Sequence, residues 1–350
     1  MLYSLQAYRG LAVLLVVLYH GTNIVARRYG LAPLNDVFSF GFSGVHLFFV
    51  LSGFIILTAH IRDIDTPARL GWYVKRRLIR IYPIYWIAFL FLGGWKLISV
   101  KPDIENFLLN AFLFTANGKL VIPVSWTLRY EIIFYAMFAV LVVSKRVGIV
   151  VVAAWFLAIL SNFGNASLVI LDPFNLLFIF GLTASALFFR LKHVDTRAVN
   201  LIAATSLAAG ALLFLGTAFY YSTLGVDEGA WPQHSVTILG FGLASALLVL
   251  ASASPAIDNF FRERDLLQLI GNASYSIYLV HLPAEKSAYS VIQSINPMVG
   301  KDGAQSQIAS DLQLLYIAIV GVLAGILLHL KVERPLLDFL RRRLKAGRPA

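Results

Sequence analysis

The sequence predicts an all-α membrane protein: a polytopic bundle of about ten transmembrane helices with both termini in the cytoplasm. Three observations lead to this fold class. First, 59% of the 350 residues are hydrophobic and only 13% are charged, with a mean hydropathy of +0.77, whereas a soluble domain is about half apolar and about a quarter charged. Second, apolar runs of about 20 residues, the length that crosses a bilayer, follow one another along the whole chain. Third, the basic residues collect in alternate connecting segments.

These apolar runs define the predicted spans. They cover about residues 8–26, 38–59, 81–99, 126–143, 147–164, 169–189, 198–219, 235–253, 267–287 and 312–331. The first run lacks a small-residue cleavage site and carries Arg9 and His20, so we expect it to be retained rather than removed as a signal peptide. The segment Asp103–Thr115 is shorter and charged at one end, which favours an interfacial or re-entrant helix. No repeat or linker divides the chain, so residues 1–350 are expected to form a single transmembrane domain with no appended soluble domain.

The net charge of +11 arises from 29 Lys and Arg residues against 18 Asp and Glu residues. If the N-terminus is inside, the cytoplasmic segments hold about three times as many basic residues as the outer segments, which agrees with the positive-inside rule. These residues lie in short segments beside the membrane, so nucleic acid is not an expected partner. The absence of cysteine excludes disulfides, zinc–thiolate and iron–sulfur sites, and cysteine nucleophiles.

Ionisable residues inside the predicted spans are candidates for function, because placing such groups in hydrocarbon is costly. Arg9 and His20 share one face of the first helix, about 16 Å apart along its axis. Glu131, near the start of the fourth span, lies at a depth similar to that of His20 and could orient and charge-stabilise the imidazole. Structural alternatives stay open: a snorkelling Arg9, a His20 bonded to a backbone carbonyl, and a Glu131 satisfied by Arg129 or a tyrosine.

A basic cluster precedes the third span. Arg76 and Arg80 share a helical face, with Arg77 beside them. Two interpretations remain open for this cluster. It could contact anionic lipids, or it could clamp phosphate groups, which arginine binds through paired hydrogen bonds.

The second and ninth spans carry further polar residues. His46 lies in the second span among glycines that permit close helix packing. In the ninth span, Ser274, Tyr278 and His281 follow one helical stripe, with Tyr275 next to it. This span is therefore expected to face protein or water rather than lipid.

Taken in chain order, these motifs resemble acyltransferase family 3, the integral-membrane acyltransferases that modify cell-surface sugars and related acceptors. The resemblance covers most of the chain. Its motifs are Tyr8-Arg9-Gly10 with His20, Gly44–Phe54, Arg77–Trp86, Ser125–Tyr135, Ser274–His281 and Glu333-Arg334-Pro335. The chain departs from the family at His46, where many members carry Asp.

The resemblance implies an O-acyltransferase of the bacterial cytoplasmic membrane that uses an acyl-CoA, typically acetyl-CoA, and no metal. The acceptor would be a hydroxyl of a glycan, glycolipid or related molecule on the outer side, and membrane lipids would be further partners. His20 would act as general base or transient acyl carrier, with Glu131 and Arg9 as the other catalytic residues. The remaining implied site residues are Arg76, Arg77 and Arg80 for the coenzyme A phosphates, and Ser125, Trp126, Tyr275, His281 and His46 for the substrate.

Two other functions compete with this one. A transporter or flippase of a glycolipid or small molecule would also need many spans and a polar interior. Transporters, however, often show paired spans interrupted by Gly or Pro, which this sequence lacks. A regulatory lipid-binding or scaffold protein is the other alternative, and it predicts that replacing His20 leaves cellular function unchanged.

Overall fold

The computed structural model describes residues 2–29, 31–94, 103–114, 120–162, 168–223, 235–295 and 306–345. These residues form α-helices joined by short turns, with no strand among them. The α-helices, in chain order, are α1 (Tyr3–Tyr29), α2 (Ser43–His60), α3 (Leu70–Gly93), α4 (Ile104–Ala111), α5 (Trp126–Val143), α6 (Lys145–Ser161), α7 (Asn175–Leu191), α8 (Thr196–Thr223), α9 (Ser235–Leu250), α10 (Pro255–Arg262), α11 (Asp265–Ile295), α12 (Gln307–Leu328) and α13 (Arg334–Lys345).

Every predicted span overlaps one of these helices, which confirms the all-helical membrane fold. Within the described residues, six segments are long and apolar enough to cross a membrane: Tyr3–Arg27, Ser43–His60, Pro123–Val143, Thr196–Thr223, Val236–Ala253 and Gln307–Arg343. Helix α7 is apolar but shorter. The number of spans and the side on which the termini lie therefore stay predictions. The ends of the third and fifth predicted spans, at 95–99 and 163–164, lie outside the described residues.

Close helix crossings at glycines position the central helices. Helix α1 packs on α11, and α2 packs on α7. A side chain at Gly271 of α11 would collide with the backbone oxygen of Gln6 in α1, and one at Gly53 of α2 would collide with the backbone oxygen of Phe178 in α7. Small residues allow such backbone contact between membrane helices. The crossing at Gly271 brings Arg9 of α1 against the polar stripe of α11.

Helix α4 is the short helix expected between the third and fourth spans. Its N-terminus is capped by Asp103, whose Oδ1 accepts a hydrogen bond of 3.0 Å from the Asn106 amide. The Tyr85 hydroxyl and the Trp86 indole of α3 donate to backbone carbonyls near its C-terminus, at 2.6 and 2.9 Å. Eight residues are too few to cross a bilayer, so α4 lies against α3 without spanning.

A π-helical turn, His329–Glu333, joins α12 to α13. Pro335 follows it, and a proline lacks the N–H that a regular helix would donate one turn back. The wider turn directs Glu333 into the bundle, where the residue is only 5% exposed. There its Oε2 accepts hydrogen bonds from Ser276 Oγ and His329 Nδ1, both 2.7 Å long. The motif Glu333-Arg334-Pro335 thus places a carboxylate in the interior of the bundle. This burial was not predicted from the position of Glu333 at the end of a helix.

Candidate active site

A cavity of about 660 Å³ including its open mouth, here called the central chamber, lies between α1, α2, α3, α5 and α11. Its walls are largely apolar, with Val45 and Phe49 of α2 among them. The polar residues that line it are Arg9, Ser52, Arg80, Thr127, Glu131, Ser274, Tyr275 and Tyr278. A mostly apolar cavity with a few converging polar groups is the usual form of a small-molecule site.

Two arginines and one glutamate line the chamber, and a second glutamate, Glu333, lies close enough to interact with them. Arg9, only 7% exposed, donates from Nη1 to Gln6 Oε1 at 3.2 Å. Its guanidinium interacts electrostatically with Arg80, Glu131 and Glu333. The two positive and two negative charges balance, which makes their shared burial tolerable because buried charges need partners. Sequence motifs far apart in the chain are thereby assembled into one group.

Glu131 belongs to this charged group and not to His20. The Tyr135 hydroxyl, one turn along α5, donates to Glu131 Oε1. Within the described residues, the hydrogen bond expected between Glu131 and His20 is not formed. Glu131 lines the chamber together with Arg9, and Arg9 and His20 are about 16 Å apart along α1. The catalytic roles of His20, Glu131 and Arg9 stay predictions.

His20 is partly exposed and lies beside a second histidine. The centroids of the His20 and His281 rings are 5.3 Å apart. His281 is completely buried, and its Nδ1 donates to the backbone oxygens of Ile277 and Tyr278 at 3.1 and 2.9 Å. The ring of Tyr278, which lines the chamber, is 5.9 Å from that of His281. His281 and Tyr278 therefore connect His20 to the central chamber.

A second cavity, of about 2,570 Å³ including its open mouth, lies at the end of the bundle that carries the loop between α2 and α3. We call it the basic vestibule. Its charged lining consists of Arg62, Asp63, Arg69, Arg76, Arg77, Arg80, Lys192 and Arg341. Ile55 and Arg80 line both cavities. The vestibule thus adjoins the chamber, and Arg80 stands at their junction.

A chain of side chains holds two of the vestibule arginines. Arg77 Nη2 donates to His60 Nε2 at 2.5 Å, and His60 Nδ1 donates to Asp63 Oδ2 at 2.7 Å. Arg69 Nη1 donates to Asp63 Oδ1, also at 2.7 Å. Burial alone would raise the pKa of Asp63, but the hydrogen bonds from Arg69 and His60 outweigh it, so the pKa lies below its usual range. This network was not predicted from the sequence. The feature that could have indicated it is a histidine three residues before an aspartate, next to the basic cluster.

The other predicted substrate residues lie at different places. Tyr275 lines the chamber and donates to the Ile81 backbone oxygen at 2.8 Å. Ser125 is fully buried where α5 begins. Trp126 packs on Phe174, with 5.5 Å between ring centroids, and Phe174 also contacts the buried ring of His46 at 5.2 Å. Among the described residues, Ser125, Trp126 and His46 do not line the chamber, and their substrate roles stay predictions.

Ser274 is a stronger candidate for ligand contact than its place in the polar stripe suggested. The residue is completely buried and lines the chamber. Its hydroxyl has no hydrogen-bond partner among the described residues. A buried hydroxyl without a partner is costly, so a ligand group in the chamber would satisfy it.

A basic vestibule adjoins a mostly apolar chamber with buried charged side chains, and both lie in a helical bundle with several segments long and apolar enough to span a membrane. This arrangement is that of an integral membrane protein with an internal site. The chain belongs to acyltransferase family 3: the family model, described as an acyltransferase domain, matches residues 2–331. This match confirms the resemblance drawn from the motifs.

Two relatives are similar over nearly the whole chain. The exopolysaccharide production protein ExoZ of Rhizobium meliloti (strain 1021) is 30% identical over 328 residues, which cover 89% of this chain and 94% of that protein. The acyltransferase MdmB of Streptomyces mycarofaciens is 26% identical, with 97% of this chain and 92% of that protein covered. No solved structure matches the chain.

Proposed function

We propose that this protein transfers an acyl group, most simply acetyl from cytoplasmic acetyl-CoA, to a hydroxyl of a glycan or glycolipid at the outer side of a bacterial cytoplasmic membrane. The observation that carries the proposal is the meeting of the basic vestibule with the central chamber at Arg80. The family membership supports the reaction class. The name of the relative ExoZ, an exopolysaccharide production protein, supports a polysaccharide or related acceptor.

The vestibule suits the donor by charge. Coenzyme A carries phosphates at one end and a thioester at the end of a long arm. Arginine forks bind phosphate oxygens in pairs, so Arg76 and Arg77 would hold the phosphates. The arm would pass Arg80 into the chamber. This arrangement requires the vestibule to face the cytoplasm, as it does if the bundle has ten spans with both termini inside.

The reaction would take place between the chamber and His20. Arg9 and Arg80 could stabilise the negative charge that develops on the thioester oxygen, since fixed charges in a dry site act strongly. Glu131 would keep these guanidinium groups in place. His20 would act as general base on the acceptor hydroxyl or carry the acyl group transiently. Tyr275, His281, Ser125, Trp126 and His46 would shape the acceptor side, and no metal takes part.

The test is acyl transfer by the purified protein in nanodiscs, with radiolabelled acetyl-CoA and a panel of glycans. We expect release of coenzyme A together with labelling of at least one acceptor. His20→Ala should lower turnover at least about 100-fold, the usual share of an acid–base group, with the same size-exclusion profile. If the folded wild-type protein neither releases coenzyme A nor labels any acceptor, the proposal is wrong.

A further inference from the structure

The basic vestibule receives positive charge from two separate parts of the fold, and only one of them belongs to a family motif. The first set of basic residues lies on α3 and in the loop before it. The second set consists of Lys192, directly after α7, and Arg341 on α13. In all, the described lining holds seven basic residues and one acidic residue, Asp63. The proposed function assigns no role to the second set.

Lys192 and Arg341 are placed on their helices in the same way. Each follows, one turn later, a buried apolar residue that also lines the vestibule: Phe188 on α7 and Leu337 on α13. These apolar residues are each 7% exposed, whereas both basic residues are exposed. The Nζ atom of Lys192 lies 5.0 Å from the centroid of the Phe188 ring. The apolar residues therefore anchor the two helix ends, and the cations lie at the rim of the vestibule.

The second set of charges is open to an anion from outside the chain. In the first set, Arg69 and Arg77 are held by the hydrogen-bond network around Asp63. Within the described part of the chain, no carboxylate forms an ion pair with Lys192 or Arg341. Like charges that share one cavity repel one another, so an anion bound between them is stabilising.

Coenzyme A presents phosphate at two places. A diphosphate lies between its arm and its ribose, and a phosphate monoester is attached to the 3′ oxygen of the ribose. If the arm passes Arg80, the diphosphate comes next to Arg76 and Arg77, which lie one turn earlier on α3. The ribose and its 3′-phosphate are then further from the chamber, toward the rim. A phosphate monoester carries about −1.5 to −2 charges near pH 7, so it needs cations of its own.

We propose that Arg341 and Lys192 bind the 3′-phosphate of the donor and thereby select coenzyme A over carriers that lack this group. The proposal rests on the function proposed above, to which it adds a recognition site for the nucleotide end of the donor. An arginine fork binds two phosphate oxygens, and a lysine ammonium adds a compact positive charge. Two cations from different helices thus match one doubly charged group.

The test compares coenzyme A with 3′-dephospho-coenzyme A, which lacks only that phosphate. Calorimetry measures the Kd of each for the purified protein in nanodiscs of phosphatidylcholine, a lipid without net charge. We expect wild type to bind coenzyme A at least about 10-fold more tightly, the usual contribution of a hydrogen bond to a charged group. Replacing both Arg341 and Lys192 by Ala should bring the two Kd values within about twofold of each other. Arg341→Lys should retain more of the preference than Arg341→Ala, because it keeps the charge.

Two control variants separate a local contact from a general attraction between charges. Arg342→Ala removes the same charge from an exposed neighbour on α13 that is not part of the described lining. It should keep the preference of wild type. Arg77→Ala should weaken both ligands by the same factor, because both contain the diphosphate. All variants should keep the size-exclusion profile of wild type, since Arg341 and Lys192 are exposed.

The outcomes separate this site from the reaction. Equal Kd values of the two ligands for wild type overturn the site without any variant, whether or not acetyl is transferred. A double variant that keeps the preference also overturns it. So does an effect of Arg341→Ala that is equal for both ligands or appears only when anionic phosphatidylglycerol is added, because the cations then bind a lipid phosphate. A preference that the double variant loses, in a protein that labels no acceptor, supports the site and overturns only the acyl transfer.

Discussion

At the scale of single residues, the arginines of the third-span motif have different surroundings. Arg77 is buried against His60 and, among the described residues, lines the vestibule but not the chamber, whereas Arg80 also lines the chamber beside Glu131. The resemblance implied one phosphate-binding role for both, and the sequence could not separate them. Helical spacing predicts the angle of a residue around its own helix but not which cavity the residue lines. Their contributions to binding and to catalysis should therefore differ.

We predict that Arg77→Ala raises the donor KM about 10-fold or more, since a hydrogen bond to a charged group contributes about 1.5–3 kcal/mol. Its kcat should change little. Arg80→Ala should instead lower kcat, because Arg80 lines the chamber where acyl transfer is proposed to occur. Steady-state kinetics with varied acetyl-CoA distinguish the two variants. Equal donor KM values for Arg77→Ala and wild type would return this arginine to a lipid-binding role.

The Asp63 network predicts that the effect of Asp63 on donor binding is the same at pH 6 and at pH 8. The pKa of Asp63 lies below its usual range because Arg69 and His60 donate hydrogen bonds to it. The stabilisation that the ionised Asp63 carboxylate gives to the folded protein is therefore complete above about pH 4, the ordinary pKa of an aspartate. This stabilisation is lost as the pH falls through the lowered pKa of Asp63. We expect the donor KM of Asp63→Asn to exceed that of wild type about threefold, by the same factor at pH 6 and at pH 8. A factor that changes between these two values would contradict the assignment.

At the scale of helices, the sequence predicted where most helices lie along the chain. It did not predict which helices and side chains contact one another. Helix α3 begins at Leu70, well before the predicted span at 81, because its first turns carry the basic cluster that a hydropathy pattern rejects. The inward turn of Glu333 depends on the π-helical geometry before Pro335. The side chains that surround Glu131 depend on which helices are neighbours, and a single sequence does not indicate which helices contact one another.

The crossing of α2 and α7 gives a prediction about stability. Gly53→Ala should destabilise the fold by about 1–3 kcal/mol, because the added methyl group would overlap the Phe178 carbonyl. The matched control is Gly216→Ala on α8, where a Cβ would meet nothing within 4 Å. That variant should be neutral or slightly stabilising, since alanine favours a helix over glycine. Thermal unfolding in one detergent compares them, and equal midpoints would contradict the close crossing.

At the scale of the whole molecule, the orientation can be tested because the chain has no cysteine of its own. Ten spans with both termini inside place Asp195, between α7 and α8, in the cytoplasm, and Glu105, on α4 between the third and fourth spans, outside. Both residues are exposed. In intact cells a membrane-impermeant maleimide should label Glu105→Cys and spare Asp195→Cys until the cells are opened. Labelling of Asp195→Cys in intact cells would reverse the orientation.

The junction at Arg80 also bears on the membrane as an electrical barrier. A vestibule open to one side and a chamber reaching into the bundle would be a hazard if sodium or potassium ions could follow the substrate. In the proposed function such an ion would have to pass Arg80, and fixed positive charge in a narrow passage repels cations. The arginines that would attract an anionic donor would then also oppose the leakage of cations. An enzyme of this kind could modify molecules outside the membrane without discharging the potential across it.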